Sequence, residues 1–123
     1  MRFCIVITGL LITVNMMGQF SSYRELLIFS NKANEQLEQH QLGLLNKARA
    51  GVKERAIKIS IIEKESSLFE KYKVDTTQYT VILIGKDGFE KYRTNKIIEI
   101  DQLFSIIDAM PMRKSEMNKS NKD

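Results

Sequence analysis

Ser30 and Lys32 place a hydroxyl beside an amine where the apolar run Leu26-Leu27-Ile28-Phe29 gives way to a helical pattern. Nucleophilic chemistry at a serine needs a base in contact and a third group that orients the base. Nothing in the neighbouring sequence supplies that third group. A serine or asparagine at a helix start accepts hydrogen bonds from the free amides of the first turn, so Ser30, Asn31 and Lys32 read first as helix initiation. His40, the one histidine, lies among Gln36, Gln39 and Gln41, which predicts a solvated helix face rather than a general base. Lys86 and Asp87 belong to a turn, because Asp-Gly between two strand-like runs is a strong hairpin signal. The single cysteine is Cys4. With one imidazole and one early thiol, metal ligands would have to be carboxylates and amides, so neither a metal nor a cofactor is expected. Met110, Met112 and Met117 read as core filling and tail, not a soft-metal site.

The chain's 123 residues, 43% hydrophobic and 28% charged, suit one globular domain. Met1 and Arg2 precede an apolar run from Phe3 to Met17, and no acidic residue occurs before Glu25. That pattern predicts a signal peptide over residues 1–19, cleaved near Gln19, and hence an exported protein, periplasmic or secreted. Contact with a membrane is expected only if the leader stays uncleaved. Cys4 stands too early for a lipoprotein and would leave with the leader, so the mature chain would have no thiol. The net charge of +4 is scattered among acids. Nucleic-acid binders instead cluster cations and interleave aromatics, so nucleic acid is not an expected partner.

The elements that must carry these residues follow in order. Tyr23 to Ser30 predicts a buried strand, and Ala33 to Arg49 a helix with Ala33, Leu37, Leu44, Leu45 and Ala48 on its packed face. Gly51 is expected to break that helix. Ala56 to Ile62 shows the period of two of a second strand. Leu68 to Val74 predicts a short helix, and Asp75 to Gln78 a loop. Tyr79 to Ile84, mostly β-branched, predicts a central strand, followed by the hairpin and a charged edge strand from Phe89 to Arg93. Ile100, Leu103, Phe104, Ile107 and Met110 repeat at helical spacing. Pro111 disfavours helical geometry at Met110, and residues 112–123 read as a polar, disordered tail. The order is β-α-β-α-β-β-α, with the helix-joined strands expected parallel and the last pair an antiparallel hairpin.

Leu83-Ile84-Gly85-Lys86-Asp87-Gly88, with Leu103-Phe104 and Ile107-Asp108-Ala109-Met110-Pro111-Met112-Arg113, resembles a family of secreted thioredoxin-like domains of unknown function. Its relatives include the C-terminal domains of sushi-repeat-containing proteins and a coiled-coil-domain-containing protein of the extracellular matrix. The resemblance covers roughly Tyr23 to Met117. It implies an α/β, thioredoxin-like three-layer sandwich with a mixed sheet, occupying residues 20–111. It does not imply redox chemistry. The thioredoxin cysteine pair would fall at Ser30-Asn31-Lys32-Ala33-Asn34, and the family's cis-proline position carries Thr76-Thr77-Gln78. The expected role is therefore non-catalytic, through a protein partner in the cell envelope or outside the cell. Fold analogy points to Ser30, Asn31, Lys32, Thr76, Thr77 and Gln78 as ligand loops. The alternative is an oxidoreductase or peroxiredoxin-like enzyme that uses a non-cysteine group or a partner's thiol.

Overall fold

The computed structural model describes residues 20–121, so the expected leader and its cleavage point lie outside the described residues. Strand β1 (Arg24–Phe29) is followed by a 3-10 turn at Lys32–Asn34 and helices α1 (Glu35–Lys47) and α2 (Arg49–Glu54). Strand β2 (Ile57–Ile62), helix α3 (Leu68–Lys71) and strands β3 (Thr80–Ile84) and β4 (Glu90–Thr94) come next. Helices α4 (Ile100–Asp108) and α5 (Pro111–Ser120) close the chain. The four strands form one mixed sheet in the order β2-β1-β3-β4.

β1 and β2 are parallel, as expected for strands joined through helices, but β3 runs antiparallel to β1, with Phe29 opposite Thr80. The connection explains the difference. The single turn of α3 rises only about 6 Å, well short of a strand's length of ~17–20 Å, so the chain re-enters the sheet at the end where β2 left it. Helices α1 and α2 together are long enough to return the chain to the start of β1. A consequence is that the end of β1 and the start of β3 lie side by side.

The central strands are buried on both faces, and their alternation divides the core. Leu26, Ile28, Val81 and Leu83 pack with Leu45, Val52, Leu103 and Ile107 from α1, α2 and α4. Leu27, Phe29, Ile82 and Ile84 face α3, where the Phe29 and Phe69 rings meet edge-on at 4.9 Å. The β3–β4 hairpin carries a bulge at Leu83/Ile84, and only Gly88 in its turn has positive φ (82°). Asp87 serves the turn through its side chain, which accepts hydrogen bonds from the Phe89 amide and Lys91 Nζ.

Three local expectations are corrected. The first helix breaks at Ala48 rather than Gly51, which lies inside α2 beneath the Phe104 ring. Gln41 is fully buried rather than on the solvated face that holds His40. The polar tail expected from Met112 onward is helix α5. Pro111 does leave Met110 extended (ψ 138°), but it then starts a new helix at the first position, where a proline needs no amide partner. What docks α5 is charge: Arg113 is 4% exposed and donates to Asp108, at the end of α4, and to Glu54, at the end of α2.

Candidate functional site

Because Phe29 and Thr80 are paired, the segments flanking them project from the same end of the sheet. The loops carrying Ser30-Asn31-Lys32 and Thr76-Thr77-Gln78 are consequently joined. Asn31 is the link. Its Oδ1 accepts the Asn34 amide at 3.1 Å and caps the 3-10 turn, while its Nδ2 donates to the Thr76 carbonyl at 2.8 Å. Asn34 adds a longer bond to the Thr77 carbonyl at 3.4 Å. Asp75 shapes the second loop by accepting from the Thr77 hydroxyl and amide at 2.6 and 2.8 Å. Those two bonds hold its carboxyl below the usual range.

The other predicted residues occupy different positions around this link. Ser30 is buried, and its hydroxyl donates to the Asn31 carbonyl at 3.3 Å. Lys32, Thr76, Thr77 and Gln78 are exposed, and Gln78 Oε1 accepts from Asn95 Nδ2, just beyond β4. Ser30 therefore faces a carbonyl and not a base. The loops present amides and carbonyls, groups that recognise a ligand without reacting with it.

Beside the loops a groove of about 430 Å³ runs from Ser30, Asn31 and Lys32 to the end of β2 at Ile61–Glu65. Ile61 is 39% exposed there, and carboxylates at Glu35, Glu38, Glu63 and Glu65 outnumber the ammonium groups of Lys32 and Lys64. The sequence reading missed this wall, although the doubled isoleucine ending β2 was its signal: neighbouring strand residues face opposite sides, so Ile62 packs in the α3 core while Ile61 lies on the other face, exposed. Among the described residues, no group of three His, Cys, Asp or Glu could hold a metal ion, and no helix is long and apolar enough to cross a membrane.

At the opposite end of the sheet lies a charged cluster the sequence did not announce. Arg24, 1% exposed at the start of β1, donates from Nη1 and Nη2 to Glu116 on α5 at 3.3 and 3.2 Å, and from Nη1 to the Arg55 carbonyl at 2.8 Å. Lys86 donates to the same Glu116 oxygen at 2.5 Å. Burial opposes ionisation of Glu116, but the hydrogen bonds from Lys86 and Arg24 outweigh it, and its carboxyl titrates below the usual range. Arg55 stacks 3.8 Å over the Phe104 ring and clasps both Asp108 oxygens at 3.0 and 2.8 Å.

A family model described as a domain of unknown function, DUF4174, matches residues 19–116. No curated protein matches the chain in sequence. Among solved structures, thioredoxin-2, described as a component of the malaria parasite's protein secretion machinery, aligns with a TM-score of 0.58 at 21% identity. The alignment covers 72% of this chain and 84% of that one. At that identity the likeness shows the fold, which is thioredoxin-like.

Proposed function

We propose, from the premise that this chain belongs to the DUF4174 family of domains of unknown function, that it is an exported, non-catalytic module binding a protein partner through Ser30–Asn34 and Thr76–Gln78. The observation that carries this reading is the Asn31 bridge. Where a thioredoxin-like fold would hold its reactive thiols, this chain has an asparagine whose acceptor caps its own loop and whose donor ties that loop to the next. Rigid, polar, preorganised loops lower the ordering cost of recognition. The adjoining groove, apolar at Ile61 and rimmed by carboxylates, suits an extended peptide segment with basic side chains.

Export rests on the charged start and apolar run of residues 1–19, and it accords with the resemblance to secreted sushi-repeat and coiled-coil relatives. N-terminal sequencing of the native product, recovered from envelope or medium, tests it. An intact Met1, with Cys4 retained, would overturn both export by cleavage and the loss of the thiol.

The binding reading is tested with a photo-crosslinker placed at Lys32 in cells, compared with one at Lys119 on α5. A discrete adduct from Lys32 alone, abolished by Ile61→Glu, is the expected result. Equal adducts from both positions would overturn the assignment of the surface. Turnover of insulin disulfides or peroxide by the purified mature chain above a buffer blank would overturn the non-catalytic reading.

A further inference from the structure

A cavity of about 470 Å³ opens at the Arg24 end of the sheet, lined on one side by Arg24, Lys86 and Lys91 and on the other by Ile106, Met110 and Met112. Three independent features of its wall ask for an anion. Arg24 is almost completely buried, yet its Nε has no hydrogen-bond partner among the described residues. A stranded donor on a buried guanidinium is costly and is ordinarily satisfied. Arg24 and Lys86 share the carboxylate of Glu116, which Arg113 also approaches at 3.6 Å, while Lys91 is paired with Asp87 and the remaining carboxylates, Asp108 and Glu54, answer Arg55 and Arg113. One positive charge is thus left over at the cavity. Helix α5 also begins here without a side-chain cap, with Pro111 and Met112 on the cavity wall, so the positive end of the helix lies at this wall.

The apolar side decides what kind of anion fits. Ile106, Met110, Pro111 and Met112 would leave an inorganic ion against hydrocarbon, whereas an acid with an apolar body satisfies both walls. We propose that this cavity binds a small amphipathic monocarboxylate, its carboxylate answering Arg24 and Lys86 and its apolar body lying along α4 and the start of α5. The site is at the opposite end of the strands from the loops joined by Asn31, so it is independent of the partner-binding reading.

The test is a titration of the mature chain with monomeric decanoate, followed by amide chemical-shift changes, alongside decanol, acetate and inorganic phosphate. Saturable shifts confined to Arg24, Gly85–Asp87 and Ile106–Met112 are expected with decanoate. Decanol, lacking the charge, and acetate, lacking the tail, should each bind at least about tenfold more weakly. Lys86→Gln should weaken decanoate about tenfold. Met112→Ser, at an exposed position, should weaken it by a smaller factor with the fold intact, so the proposal does not depend on an Arg24 variant that fails to fold. Equal binding of decanol, saturation by phosphate, shifts scattered over the surface, or none at millimolar decanoate would each overturn it. Shifts produced only by anionic phosphatidylglycerol vesicles would overturn it in favour of a membrane surface.

Discussion

Gln41 and Ile98 exchange two hydrogen bonds in the core: the Ile98 amide donates to Gln41 Oε1 at 2.8 Å, and Gln41 Nε2 donates to the Ile98 carbonyl at 3.0 Å. Both residues are fully buried. A side chain on α1 thereby supplies, for one turn of the segment before α4, the pairing a strand would have given. Gln41→Leu keeps the volume and strands both backbone groups, each at a cost of about 1–3 kcal/mol. Urea unfolding should show the midpoint fall with the slope unchanged. An unchanged midpoint would mean that water replaces the glutamine.

Asp108 and Glu116 make stability depend on acid. Hydrogen bonding from Arg55 is the main cause holding Asp108 below its ordinary 3.8, with Arg113 adding to it. For Glu116, burial pushes the other way, but Lys86 and Arg24 together bring it below its ordinary 4.5. A carboxyl whose folded value is lowered stabilises the fold above its ordinary value, and that contribution disappears as the pH falls through the lowered one. The unfolding midpoint should therefore hold above about pH 5 and decline steadily toward pH 3. Asp108 is 35% exposed at its side chain, so screening keeps its share modest. In Asp108→Asn/Glu116→Gln the decline should flatten, and a decline as steep as the parent's would assign it to other carboxyls.

The two glycines of the first helical segment should respond oppositely to alanine. At Gly43, mid-helix in α1, an added Cβ meets nothing within 4 Å, so Gly43→Ala should stabilise by about 0.5–1 kcal/mol. At Gly51 the same atom would sit 2.5 Å from the Phe104 ring and 3.1 Å from Arg55 Nη1. That overpacking, typically about 1–3 kcal/mol, exceeds the propensity gain and disturbs the Arg55 stack, so Gly51→Ala should lower the melting temperature.

Asn31 holds its two loops with different atoms, and substitutions separate them. Asn31→Ala removes cap and bridge, costing about 0.5–2 kcal/mol and speeding hydrogen exchange in the 75–78 loop. Asn31→Asp keeps the acceptor for the Asn34 amide but loses the donor to Thr76, so stability should largely return while loop protection does not. Equal protection in both variants would show that Asp75 and Asn34 suffice to hold the loop.

What was legible in the sequence was whatever rests on periodicity and turn chemistry. The alternation of Leu26 to Phe29 and Val81 to Ile84 across two packed faces, the Asp87-Gly88 turn and the apolar stripe of α4 all follow from local pattern. The loops at Ser30 and Thr76 meet because β3 runs antiparallel to β1, a direction that depends on how far a connection can reach and that local pattern does not carry. What escaped was every polar residue satisfied at long range. Gln41 among other glutamines, Arg24 at a strand start and Arg113 in a lysine-rich tail have no local pattern that marks them as buried. Their partners Ile98, Glu116 and Glu54 are remote in sequence.

Truncation after Met112 decides whether α5 is part of the fold. A frayed polar tail would be lost without cost. In the structure its removal takes Glu116 from Arg24, which is 1% exposed with α5 in place, and takes Arg113 from Asp108 and Glu54. Leaving one member of a buried ion pair behind costs about 3–5 kcal/mol, far more than the pair contributes over an apolar replacement. The truncated chain should accordingly unfold at markedly lower urea, and the further change Arg24→Met should recover part of the loss by removing the stranded charge. If truncation is neutral, or Arg24→Met worsens it, then Arg24 finds other partners once α5 is gone.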